Sequence, residues 1–571
     1  MTGARRIIAS VATCLLLLVG GPSPGSVLTS KHNLTVTGPG TIKAETEDRV
    51  CVFCHVPHNA SPTAPLWNHR ASGASYIPYS SSTAQASPNQ PTGDSVLCLS
   101  CHDGTIAVGA VLSQNTDIRM SGGVSTLPSG DSNLGTDLSD DHPISFVYSA
   151  SLANRNPGLK HPSTLPAPVK LDPSGQLQCT TCHDSHDDLF GNFLVMDNGG
   201  SSLCQTCHSP DLWAQSSHNA SPAGWNGAGT NPWPEADGTT VAANGCENCH
   251  DVHSAGSGER LLVHALEDLN CTVCHSGNVA TENIAAEFNK FSVHPIGDTT
   301  GVHDPAEENI IRTRHVECAD CHNPHSAGAG GGNPPGALAG VRGVDRFGAA
   351  VKPLVFSYQL CFRCHADSAN KPAPRTRRQI GQTNVRLEFD PTNPSHHAVL
   401  GTGANPDVPS LIAPLTISST ISCQDCHNSD SGRNAGGGGP RGPHGSRFEP
   451  ILERQYITLD GTPESASAYA LCYKCHDRNS ILNDESFPLH NKHIVEENTP
   501  CNVCHDPHGI SGSQGNFLNN SKLINFDLSA VSADANGNLR FESNGNFTGT
   551  CYLNCHGEEH APLSYPEVNG D

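Results

Sequence analysis

The chain has almost no methionine. Met1, Met120 and Met196 are the only three in 571 residues, so thioether sulfur cannot be a general metal ligand here. It is also poor in the material of an ordinary core. Aromatic residues make up 5% and hydrophobic residues 36%, against about 45–50% in typical globular domains. Positive charge is scarce: 32 Lys and Arg face 55 Asp and Glu, a net charge of −23, which excludes nucleic acid as a partner. Beyond residue 26 no stretch approaches the 18 or so apolar residues of a membrane helix.

Cysteine, by contrast, is abundant and ordered. Of 25 cysteines, 24 fall in twelve short motifs. Eleven read Cys-x-x-Cys-His: Cys51/Cys54/His55, Cys98/Cys101/His102, Cys179/Cys182/His183, Cys204/Cys207/His208, Cys246/Cys249/His250, Cys271/Cys274/His275, Cys318/Cys321/His322, Cys361/Cys364/His365, Cys423/Cys426/His427, Cys472/Cys475/His476 and Cys501/Cys504/His505. The twelfth is longer by one residue, Cys551-Tyr552-Leu553-Asn554-Cys555-His556. Cys-x-x-Cys-His is the attachment signature of haem c. Its thiols form thioethers with the two porphyrin vinyls, one helical turn spans the distance, and the His takes an axial position on iron. Zinc sites use Cys-x-x-Cys in pairs and exported proteins use disulfides, but neither chemistry asks for a His after every second Cys. Twelve covalently attached haems are therefore the expected cofactors.

Each iron needs a sixth ligand unless it is open. With Met1 in the N-terminal leader, at most two haems could be His/Met ligated, whereas twenty histidines remain beyond the twelve in the motifs. Bis-His ligation is expected throughout, giving closed, low-potential irons. Five motifs continue as Cys-His-x-x-His, supplying His58, His186, His253, His325 and His508. Residues three apart on a helical turn share a side, so the second His cannot reach the far face of its own haem and is expected to ligate an adjacent one. Further expected ligands are His142, His294 and His397, each followed by Pro-Ile or Ala-Val, together with His32, His218, His444 and His493. Weaker candidates are His69, His161, His264, His303, His315, His396, His490 and His560, of which His315 and His490 could displace a preferred one.

The N-terminus reads as a signal peptide over residues 1–26: Arg5 and Arg6, an apolar run from Ile7 to Val19, then small residues to Ser26. Cys14 lies inside that run, where a lipid-modified Cys would end it. The remaining 545 residues allow about 45 per motif, too few for a separate domain around each. Neighbouring haems must share walls. The motifs group into six pairs, an internal two-haem repeat. The expected regions are 27–175 with two haems, 176–310 with four, 311–415 with two and 416–571 with four. The expected fold is that of a multihaem cytochrome c: little regular structure, short helices at the motifs and long coil, wrapped round a chain of twelve haems. Strands are expected only around Ile144–Tyr148 and Leu411–Ile417. The basic patch at Arg375, Arg377 and Arg378 reads as a solvated loop that could pair with a propionate or dock an acidic partner.

The units Cys179-Thr-Thr-Cys182-His183-Asp-Ser-His186 with Leu203-Cys204-Gln-Thr-Cys207-His208, Cys318-Ala-Asp-Cys321-His322-Asn-Pro-His325, and Cys51-Val-Phe-Cys54-His55-Val-Pro-His58 with Leu97-Cys98-Leu-Ser-Cys101-His102 resemble the paired (doubled) CXXCH family of multihaem cytochromes. The assembly is similar to the large cytochromes of metal-reducing bacteria, including those of porin–cytochrome conduits. The resemblance implies an electron relay between periplasmic or outer-membrane redox partners, in respiration onto extracellular acceptors such as metal oxides, with no catalytic residues. It implies export to the periplasm, outer membrane or cell exterior. Redox proteins, a porin and other multihaem cytochromes are the implied partners. An oxyanion reductase with one open haem is the alternative, although no Cys-x-x-Cys-Lys motif occurs. A homo-oligomeric cytochrome filament is a third reading. The Cys423 pair, without an x-x-His, and the stretched Cys551 motif depart from the family pattern.

Overall fold

The structure, a computed structural model, describes residues 26–565 except 62, 63, 65, 235–237, 298–302, 305, 306, 312 and 331–334. The expected signal peptide, Cys14 included, lies outside the described residues save for Ser26. Most of what is described is coil and turn with a few short helices and small sheets, compatible with a multihaem cytochrome. Gly and Pro number 56 and 42, and both interrupt helices. Among the described residues only Gly93–His102 and Tyr358–His365 exceed two helical turns.

Helical structure concentrates where the cysteines are. Cys179–Cys182, Cys204–Cys207, Cys318–Cys321 and Cys501–Cys504 are each a single α-turn, and Cys423–Asp425 and Cys472–Lys474 are 3₁₀ turns. The motif His closes the turn by donating its backbone N–H to the first Cys carbonyl, as in His55→Cys51 at 2.8 Å, His322→Cys318 at 3.0 Å and His505→Cys501 at 2.9 Å. Gln178, Glu317 and Ser422 cap three of these turns in reciprocal hydrogen bonds with the residue three further on.

The chain divides into two compact units. One comprises residues up to 79, 86–153 and 161–198. Its apolar cluster is Ala44, Val52, Phe53, Val108, Val111, Ile118 and Met120, so Met120 is committed to packing. Phe146–Val147 pairs antiparallel with Gln176–Leu177, inside the first segment expected to be extended. The other unit comprises 80–85, 154–160 and residues from 199 on. The expected Leu411–Ile417 strand is absent there. Leu411 makes one isolated bridge to His476, and Pro414 cannot donate to a ladder.

That unit ends in a sheet the sequence reading did not expect. Thr548–Cys555 pairs antiparallel with Arg540–Gly545 on one side and Glu558–Tyr565 on the other, and Val531–Ser532 adds to its end. The Cys551 motif thus lies on a strand, the exception to the expectation of a helical turn at every motif. Arg378 also departs from the solvated-loop reading: its guanidinium donates to the carbonyl of Asn525 at 3.0 Å and to that of Asn502, beside the Cys501 turn.

Gly245 immediately precedes Cys246 with φ +56° and ψ −115°, a conformation open in practice to glycine. A Cβ there would lie 2.7 Å from Ser201 Oγ and 2.8 Å from the Gly200 carbonyl carbon. Gly245→Ala is expected to cost about 2–3 kcal/mol, measured as a lowered Tm of the haem-loaded protein.

Candidate haem-binding site

For nine of the motif histidines in the helical turns a second imidazole stands opposite. In the first unit His102 faces His32 at 6.2 Å between ring centres and His55 faces His186 at 6.0 Å. In the second the pairs are His275–His218 at 6.2 Å, His250–His325 at 6.1 Å, His365–His294 at 6.3 Å and His322–His444 at 6.0 Å. They continue with His476–His397 at 6.5 Å, His427–His508 at 6.3 Å and His505–His490 at 6.5 Å. Two metal–imidazole bonds of about 2 Å each put ring centres roughly 6 Å apart. The gaps therefore fit an iron, and rings in direct stacking contact would be closer.

Half of the facing rings use their nitrogens in one way. Nδ1 is held by a backbone carbonyl in His102 (Ser132, 2.6 Å), His250 (Arg260, 2.9 Å), His322 (Ala337, 3.0 Å), His427 (Pro450, 2.9 Å) and His505 (Lys522, 3.0 Å). The same holds for His32 (Ser185, 3.2 Å), His218 (Pro324, 2.8 Å), His294 (Pro443, 2.7 Å) and His397 (Pro507). A metal-bound imidazole ordinarily donates its other N–H this way, which fixes tautomer and ring orientation and leaves Nε2 for the metal. Burial lowers the proton affinity of His32, His250, His294, His322, His397 and His505. It pulls His275, His325, His365, His427, His444 and His476 down to about 4 and His490 to about 3, with neighbouring histidines adding to the effect. The neutral imidazole is the form that ligates. His508 alone in these pairs is raised: burial lowers it, but the hydrogen bond to Glu388 Oε2 at 3.0 Å and that carboxylate's charge outweigh burial. Replacing this carboxylate by the neutral amide in Glu388→Gln is expected to raise the potential of a haem between His427 and His508 by on the order of 50 mV, about a tenfold shift for one electron, readable by spectroelectrochemistry.

The x-x-His residues reach two motifs back: His186 faces His55, His325 faces His250 and His508 faces His427. The last supplies an opposing ring for the Cys423 motif, which lacks an x-x-His of its own. His142 Nδ1 lies 3.1 Å from the Pro143 carbonyl. His183 Nδ1 lies 2.9 Å from the Asn192 carbonyl. His208 bridges to Leu159, His253 is half-buried with its N–H donated to Asp251, and His58 is exposed. His490 stands opposite His505, while His493 faces His560 at 6.4 Å. Several other histidines spend Nε2 within the protein: His69 on the Ala107 carbonyl, His396 on the Thr402 carbonyl and His315 on Glu307.

The sulfurs trace a row. In the first unit burial and the charge of Cys54 push Cys101 up to about 12, and a hydrogen bond to Cys179, with burial, pushes Cys98 well up. In the second unit a hydrogen bond from Cys204 pulls Cys246 down to about 7. Burial, then Cys271 and Cys274, push Cys249 up to about 12. Cys318 is pushed up by its hydrogen bond to Cys271, and Cys321 by burial, with Cys364 and Cys361 contributing. The row goes on through Cys361 with Cys423, Cys426 with Cys475, Cys472 with Cys501, and Cys504 with Cys551 and Cys555. Once bonded to porphyrin these sulfurs are thioethers and do not titrate. The couplings matter as proximity: within each unit, motifs consecutive in sequence are neighbours in space.

Residues 172–212 match the family model of the doubled CXXCH motif. No curated protein matches the chain. The CXXCH motifs indicate covalently bound haem c, and the doubled motif is consistent with a multihaem c-type cytochrome that carries electrons. The turns, tethered imidazoles and facing gaps fit that group. No helix among the described residues is long and apolar enough to cross a membrane.

Proposed function

We propose that this chain is a dodecahaem c-type cytochrome, a molecular wire passing single electrons between redox partners of the periplasm and outer membrane. Its physiological use on this reading is respiration onto extracellular acceptors such as metal oxides, with a porin or other multihaem cytochromes as partners. The observation that carries the reading is the row: within each unit, every motif neighbours the next in sequence order. Haem iron supplies a one-electron couple whose potential the protein sets through axial ligands, burial and charge.

The residues divide the work. Paired cysteines on one turn hold position and spacing. Facing histidines close both axial positions, which excludes a substrate and favours transfer over catalysis. Where a backbone carbonyl accepts from Nδ1, the ring is held so that little reorganises when charge changes. The net charge of −23 favours positively charged docking faces on partners.

Intact mass and haemochrome absorbance are expected to give twelve haems per chain, and electron paramagnetic resonance of the oxidised protein an almost wholly low-spin population. A major high-spin population, or steady turnover of nitrite or sulfite, defeats the relay reading.

A further inference from the structure

The C-terminal motif breaks three regularities at once. Its cysteines lie on an extended strand, Thr548–Cys555, and not on a helical turn. Its histidine, His556, has φ +54° and binds Asp460 Oδ2 through Nε2 at 2.7 Å. That nitrogen is the one the facing histidines with tethered Nδ1 leave for metal. Finally, a tenth facing pair stands beside the strand, His493–His560 at 6.4 Å, and neither partner is a motif histidine.

The strand geometry aims this pair at the motif. Alternate residues of a strand share a face, so Cys551, Leu553 and Cys555 point to one side. Directly opposed residues of an antiparallel pair share a face as well, and His560 is opposite Leu553. His560 therefore projects from the same face, midway between the two cysteines. Its flanking residues Glu559 and Ala561 are exposed while it is half-buried. Across from it, His493 sits on the π-helical turn Lys492–Glu496. Both rings are oriented through Nδ1, His493 on the Leu489 carbonyl at 2.8 Å and His560 on the Tyr565 hydroxyl at 3.3 Å, which frees both Nε2 atoms.

We propose that a haem tethered by Cys551 and Cys555 takes both axial ligands from outside its motif, His493 and His560, and that His556 is held off the iron by Asp460. This rests on the twelve-haem reading above. The x-x-x spacing and the strand go together: a motif that need not deliver its own histidine to iron is released from the helical turn.

The test uses the full haem-loaded chain with His560→Gly and, separately, His493→Gly. Each variant is expected to keep twelve haems by intact mass and to acquire one high-spin iron per chain. That iron binds one carbon monoxide when reduced and returns to low spin with added imidazole. With both variants behaving so, no axial position remains for His556. Twelve haems with every iron low-spin in either variant overturns the proposal. Should a Gly variant fail to accumulate, His560→Met is expected to raise one haem's potential, and an unchanged set of potentials overturns the proposal equally. Eleven haems in the unsubstituted chain would instead defeat the twelve-haem reading.

Discussion

Expressed without haem attachment, the chain is expected to remain unfolded. The apolar clusters among the described residues are small, such as seven buried residues around Phe53, five around Phe541, and three around each of Trp233, Leu354, Phe362 and Tyr469. No cluster is large enough to organise the long coil segments between the motifs, and the histidine pairs leave gaps of about one metal ion plus two bonds that make no contact when empty. Cofactor binding here is folding free energy, as in small metal-dependent domains. Circular dichroism and hydrogen exchange of the attachment-free chain should show no protected core and no cooperative melt. A cooperative thermal transition without haem would show the clusters to be sufficient.

His508→Met is expected to stall the row in its middle. His508 faces His427 across 6.3 Å, and His/Met ligation raises a haem potential above bis-His. Axial ligands span about 0.8 V in all, so a rise on the order of 0.1 V at one haem is moderate. For one electron 0.1 V is about 2.3 kcal/mol, or roughly 50-fold in the rate of leaving that site. Electrons should pool there, visible as one early-reducing haem in spectroelectrochemistry, with end-to-end transfer slowed by a comparable factor. Unchanged potentials would mean that His508 is not a ligand.

Much of the local chemistry was legible because it is local. A turn closed from His N–H to the first Cys carbonyl is the i→i−4 hydrogen bond of an α-turn, and His322 and His505 adopt it. Which spare histidine faces which motif was not legible, since such pairings join residues as far apart as His55 and His186. His490 and His493 are three residues apart and equally suited by type; only the placement of the Phe487–Glu496 segment sets His490 opposite His505 and His493 opposite His560. The terminal sheet was missed for a different reason. Cys551, Leu553 and Cys555 alternate with Tyr552 and Asn554 in a period of two, a strand signal that the cysteine spacing overshadowed. Arg375 and Arg377 are exposed as a solvated loop requires, and Arg378 alone turns in to the carbonyls of Asn502 and Asn525.

The reach of the x-x-His residues two motifs back has a consequence for how such a chain is made. On the proposed ligation, the iron at His55 waits for residue 186, that at His250 for residue 325 and that at His427 for residue 508. Each later segment completes an earlier one, so assembly proceeds with a trailing edge that is always unfinished. A chain cut short by proteolysis or failed synthesis would therefore declare itself spectroscopically: behind its broken end would stand irons with one open face, able to bind carbon monoxide, while everything further back was already sealed.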